Sequence, residues 1–85
     1  MLLPPDRVLQ RRLAVGERLR AARLWRNLSQ HGLAERAGID IKTVNRLESG
    51  LTNAGLDTLL DLADALDVPP ACLMPGGPPL PDRHG

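Results

Sequence analysis

Lys42, Asn45 and Arg46 stand three and four residues apart, and on an α-helix that spacing gathers an ammonium, a carboxamide and a guanidinium on one face. Ile41 and Ser49 share that face. The chemistry open to such a set is hydrogen bonding to heterocyclic bases. Lysine and arginine donate to the O6 and N7 acceptors of guanine, asparagine matches the N6 and N7 edge of adenine, and an aliphatic side chain covers the thymine methyl. Bond-making chemistry has no comparable footing. His31, His84 and Cys72 have no metal-ligand spacing, and neither a Ser-His-acid set nor a glycine-rich phosphate loop is present. The residues point to a binding protein with no cofactor or metal, not to an enzyme.

A helix carrying those side chains needs a start, a stop and a support. Asp40 stands where a carboxylate caps the first free N–H groups of such a helix, and Val44 and Leu47 form its apolar stripe, which ends at Gly50. Ahead of it, Ser29 is placed to cap a first helix whose inward residues are Leu33, Ala34 and Ala37, and Gly38 supplies the left-handed stop. Only Gly38, Ile39 and Asp40 separate the two helices. That is the short glycine-containing turn of a helix-turn-helix, which leaves the outer face of the second helix exposed.

The runs GERLRAARLWRNLSQ, LAERAGI, KTVNRLESG and LDTLLDLADALDV resemble, in order and spacing, the phage repressor and Cro-type helix-turn-helix proteins, or Xre family, over residues 15–73. The resemblance implies an all-α, lambda-repressor-like domain, a compact bundle of five short helices. It also implies that the second motif helix enters the major groove and that dimers span two half-sites about one helical turn apart. By position it assigns Gln30 to a phosphate and a base, Ile41, Lys42, Asn45 and Arg46 to base reading, and Thr43, Thr52 and Asn53 to phosphates. Arg23 and Glu48 become a structural ion pair. Val68, Pro69, Leu73 and Met74 become the dimer contact, joined by Leu62, with the N-terminal segment contributing instead if Leu9 and Leu13 are displayed. The chain departs from the family pattern at His31 and Gly32, where acidic, helix-favouring residues are usual, and at Ala54, where proline is frequent. Asp40 and Ile41 replace more polar or basic residues.

Around the motif, residues 15–27 read as the preceding helix, with Leu19, Ala22 and Leu24 inward and Trp25 as partial core or surface cover. Residues 56–66 read as a fourth helix with the stripe Leu56, Leu59, Leu60, Ala63 and Leu66, opposite a solvated face of Asp57, Asp61, Asp64 and Asp67. Pro69 and Pro70 can open a short fifth helix through Leu73. Residues 75–85 read as a flexible tail. Residues 1–14 have two readings: an extra helix capped by Asp6 with Val8, Leu9 and Leu13 on one face, or a basic arm using Arg7, Arg11 and Arg12.

The 85 residues include no Phe or Tyr and one Trp, so a single small core must come from Leu, Ala, Val and Ile. The net charge of +1 hides a division. Residues 1–50 hold ten Lys and Arg against five acids, a net of +5, and residues 51–85 hold one Arg against five Asp, a net of −4. Such a molecule has a phosphate-facing side and a side that DNA repels. One cysteine allows no internal disulfide, the N-terminal apolar run is too short for a secretion signal, and no run is suited to a membrane, so a reducing cytoplasm is expected. These features lead to the expectation of a sequence-specific double-stranded DNA-binding transcriptional regulator, a homodimeric repressor at an inverted repeat. The alternatives are an antitoxin that covers a toxin partner and autoregulates its operon, and a controller protein of a restriction-modification system.

Overall fold

The computed structural model describes residues 5–81. Among them are four α-helices and a 3-10 turn: α1 (Asp6–Trp25), α2 (Gln30–Ala37), α3 (Ile41–Glu48), α4 (Leu56–Leu66) and the turn Pro70–Leu73. Strands do not occur among the described residues. The fold is the expected all-helical one, with the fifth helix reduced to a 3-10 turn.

Both motif helices have eight residues, too few to persist in water by propensity alone. Their ends are closed by side chains. Ser29 accepts a hydrogen bond from the Gly32 N–H at 2.9 Å, and Asp40 accepts one from the Lys42 N–H at 3.0 Å. Gly38 takes φ +70°, and the Ile39 N–H returns to the Ala34 carbonyl at 3.0 Å. A left-handed residue at that point ends α2 and turns the chain into α3 within three residues.

The core is aliphatic. Leu19, Leu33, Val44, Leu62, Leu66 and Leu73 are wholly enclosed, while Trp25, Leu28, Ile39 and Met74 lie partly buried against them. Two stripes differ from expectation. Leu24 is 49% exposed, because five residues beyond Leu19 is about 140° around the helix; the inward position is taken by Arg23. On α4 the enclosed set is Leu62, Ala63, Ala65 and Leu66, and Leu56 and Leu60 are 71% and 38% exposed. Leucines at 56, 59, 60, 62 and 66 support two overlapping i, i+3, i+4 stripes, and packing on α2 and the 3-10 turn selects the one through Leu62.

The terminal segments are also more tied down than their composition implies. Asp6 does not cap α1 but is its first residue: the cap position is Pro5, with no side-chain hydrogen bond, and the helix runs without a break through Ala14 and Val15, so the extra helix and the preceding helix are one element; residues 1–4 lie outside the described range. At the other end, the stretch read as a tail is laid against α1 as far as Leu80. The Arg18 guanidinium donates to the carbonyls of Cys72, Gly77 and Pro78 at 3.2 to 3.3 Å, and Leu80 packs on the core. His84 falls beyond the described residues.

Gly16 sets how closely α1 and α3 approach. A Cβ there would lie 2.7 Å from the Glu48 carbonyl oxygen and closer still to that of Leu47, so both backbones would have to separate. A Cβ on Gly38 would meet nothing within 4 Å and would cost only its left-handed φ. Gly16→Ala is therefore expected to lower unfolding free energy by about 2 kcal/mol or more, and Gly38→Ala by about 1 kcal/mol. Urea denaturation of the two variants checks the order, and equal losses would contradict the close approach.

Candidate nucleic-acid interface

α3 packs on α1 and α2 through Val44 and Leu47, both buried. Its opposite face is open: Lys42, Asn45 and Arg46 are exposed, and Ile41 is 41% exposed. These four side chains, with Gln30 from the first turn of α2, surround one shallow recess. Five of the eight residues assigned to a nucleic acid are thus brought together. Thr43 is half-buried beside them. Thr52 and Asn53 instead line a separate apolar groove of about 270 Å³ with Arg11 and Arg12 of α1 and Leu59 of α4. That grouping depends on the straight continuation of α1 below Val15.

Beneath the recess, Arg23 of α1 meets Glu48 at the end of α3. Its Nε donates to Glu48 Oε2 at 2.7 Å and its Nη2 to Oε1 at 3.0 Å, a bidentate pair, while Nη1 donates to the Leu28 carbonyl at 2.9 Å. The side chains are 10% and 4% exposed. One guanidinium therefore joins three segments: the body of α1, the end of α3 and the connection into α2. The hydrogen bonds Arg23 donates to Glu48 push it above its already high ordinary pKa; burial opposes the rise and the carboxylate charge adds to it. With a raised folded value, the stabilisation is complete below the unfolded pKa. It is lost only as pH climbs through the folded one, far above neutrality.

Glu48 also reaches the recess. Gln30 Nε2 donates to Glu48 Oε1 at 3.1 Å, and Asn45 Nδ2 donates to Gln30 Oε1 at 3.3 Å. These links cross between helices, and no sequence spacing signals them. The positions expected at a dimer contact lie elsewhere. Leu73 and Leu62 are fully enclosed and Val68 is 7% exposed, since all three close the monomer's own core. Of that set, Pro69 is exposed and Met74 half-buried. No group of three or more potential metal ligands occurs among the described residues, and no described helix is long and apolar enough to cross a membrane.

The family model described as Helix-turn-helix matches residues 19–71. An HTH-type transcriptional regulator of Sinorhizobium fredii, itself uncharacterised, is 39% identical over 57 residues, covering 67% of this chain and 40% of that protein. The HTH-type transcriptional regulator PrtR of Pseudomonas aeruginosa is 36% identical over 74 residues, covering 87% of this chain and 26% of its own length. The chain thus spans less than half of either relative. Among solved structures, the restriction-modification controller protein C.AhdI of Aeromonas hydrophila superposes with a TM-score of 0.73 at 40% identity, over 74% of this chain and 96% of that one. A hypothetical transcription factor from Neisseria, NHTF, gives 0.74 at 29% identity, over 93% and 87%.

Removing one partner of a buried pair leaves the other charge stranded. Glu48→Ala is expected to lower unfolding free energy by about 3 kcal/mol, and Glu48→Gln by less, because an amide oxygen still accepts from Arg23. Chemical denaturation measures both; a loss below about 1 kcal/mol for the alanine variant would show that the pair does not hold α3 in place.

Proposed function

Because this chain belongs to the Helix-turn-helix family, we propose that it binds double-stranded DNA sequence-specifically and regulates transcription, as a homodimeric repressor at an inverted-repeat operator. One observation carries the reading. A rigidly held eight-residue helix presents Lys42, Asn45 and Arg46 together to solvent, with an exposed Ile41 beside them. Nothing in monomer stability calls for an isoleucine there, whereas a base edge with a methyl group does. The names of the relatives, all regulators of transcription, support the same conclusion.

In this reading α3 lies in the major groove, Arg46 and Lys42 donate to base acceptors, and Gln30 and Thr43 approach the backbone. Thr52, Asn53, Arg11 and Arg12 form a second phosphate-contacting group at the flank. A single eight-residue helix covers few base pairs, so two copies are needed for a useful specificity ratio. With Leu62, Val68 and Leu73 consumed by the core, the exposed apolar residues available to a second copy include Leu56 and Leu60 of α4 and Leu9 and Leu13 of α1, with the half-buried Met74 beside the 3-10 turn. The similarity to C.AhdI over nearly its whole length favours one particular setting, control of a restriction-modification system. Arg23 and Glu48 serve as structure, and the protein works in the cytoplasm without catalysis.

Selection of bound fragments from random duplex DNA tests the proposal. Arg46→Ala and Lys42→Ala should each weaken binding to the selected site by about 1–3 kcal/mol and relax base preference at separate positions. Affinity should fall steeply with added salt as phosphate contacts release counterions. Unchanged preference in both variants, or a flat salt response, would remove α3 as the reading element.

A further inference from the structure

Arg11 and Arg12 of α1 stand at a groove of about 270 Å³ whose walls are otherwise largely aliphatic: Val15, Leu47, Ala54, Leu59 and Met74. Thr52 and Asn53 line it too, and no acid is among the residues around it. Neither arginine takes part in an ion pair among the described residues, and Arg12 Nε is enclosed with no hydrogen-bond partner. A buried donor left without an acceptor is costly. A guanidinium satisfies such a donor best with a carboxylate, which accepts two parallel N–H bonds at once.

Three occupants differ in how they meet these groups. A phosphate of the DNA backbone answers the two cations and leaves the apolar walls bare. A leucine of a second copy covers the walls and leaves Arg12 Nε without an acceptor. A small molecule with a carboxylate at one end and an alkyl chain at the other meets both. The volume lies just under the roughly 300–1,000 Å³ typical of ligand pockets, which limits the chain to medium length.

We propose that the groove is a binding site for a small anionic amphiphile, an alkyl carboxylate, and that its occupation weakens the hold of the protein on DNA. The second clause rests on the DNA-binding reading; the site itself does not. The coupling follows from shared groups. Arg11, Arg12, Thr52 and Asn53 form the flank assigned to phosphates, so a bound carboxylate takes the donors that a phosphate needs. Leu47, 2% exposed, is an inward residue of α3, so the alkyl chain also lies against the inner side of the reading helix. By linkage, a bound duplex weakens the amphiphile by the same factor.

Octanoate is the probe. Acetate supplies the charge without the chain, and octanamide the chain without the charge. In an NMR titration of the DNA-free full chain, octanoate should shift the Arg12 Nε–H and the methyl groups of Leu59 and Met74 saturably, and neither control should do so at equal concentration. Arg12→Met should weaken octanoate binding about tenfold or more. Ala54→Leu, which puts a larger side chain into the groove, should remove the site while still binding the duplex that the wild type selects; cooperative thermal unfolding checks that both variants fold. Saturating octanoate should lower wild-type affinity for that duplex about tenfold or more, and reduce the slope of log affinity against log salt by about 2, the loss of two phosphate contacts. Ala54→Leu should show neither change.

No saturable shift with octanoate, equal shifts with acetate or octanamide, or unaltered binding in Arg12→Met overturns the site. Shifts at the same residues that follow protein concentration and not octanoate put a second copy in the groove and overturn it as well. Saturable binding that leaves duplex affinity and salt slope unchanged overturns the coupling. If the wild type selects no duplex at all, the DNA-binding reading fails and the coupling with it, whereas the titration without DNA still decides the site.

Discussion

The buried pair between Arg23 and Glu48 is the constraint on which the rest of the structure depends. Two charges withdrawn from water cost several kcal/mol each, and an apolar pair of the same size would often be at least as stabilising. What the ion pair adds is direction. Its bidentate geometry admits one relative placement of α1 and α3, and the third guanidinium nitrogen, donating to the Leu28 carbonyl, ties that placement to the point where the chain enters α2. A leucine at either position could bury area but would tolerate a rotated or shifted α3.

That matters because α3 is short and its outer half is polar. Eight residues with two enclosed side chains, Val44 and Leu47, give limited apolar surface with which to hold a register. The close approach at Gly16 and the Asp40 cap supply the remainder. Gly16 lets the backbone of α1 lie directly on the carbonyls of Leu47 and Glu48, and this proximity brings Arg23, two turns further along α1, level with the Glu48 side chain. The glycine in the middle of a 20-residue helix is thus a packing residue, and its propensity cost of about 1 kcal/mol is offset by the contact it permits.

The elements of the motif were legible because each is written in local chemistry. Ser29, Gly38 and Asp40 do their work within three residues of themselves, and periodicity around Leu33, Val44 and Leu47 names the inward face without knowledge of the neighbours. Legibility ended where a choice depended on a distant partner. The leucine-rich α4 carries two acceptable stripes, and only the positions of α2 and the 3-10 turn decide between Leu60 and Leu62. Arg23, read as one half of a pair, gave no sign that it would displace Leu24 from the inward face. The segment after Met74 has the composition of a free chain, but Arg18, nearly sixty residues earlier, supplies donors that its carbonyls lack. Leu73 and Val68, too, look available when the core that takes them up is out of sight. At the site, the residue types on α3 were evident, while the hydrogen bonds from Glu48 through Gln30 to Asn45 join positions that no spacing connects.

The charge distribution can be understood in the same frame. A net charge of +1 would give almost no long-range attraction to a polyanion if the charges were evenly mixed. They are not, and the fold converts their separation along the chain into separation in space. α3 packs mainly on α1 and α2, whereas α4 packs mainly on α2 and the 3-10 turn, and the exposed Asp57, Asp61 and Asp64 sit on α4, not on the helix that carries Lys42 and Arg46. The domain measures 45 × 27 × 19 Å, and the screening length in physiological salt is only about 8 Å. Exposed charges further apart than that length are largely screened from one another, so the acids of α4 act mainly on what approaches their own side. On the proposed reading, the acidic half contributes to orientation by disfavouring approach of a duplex from the side of α4 and leaving the face that carries α3.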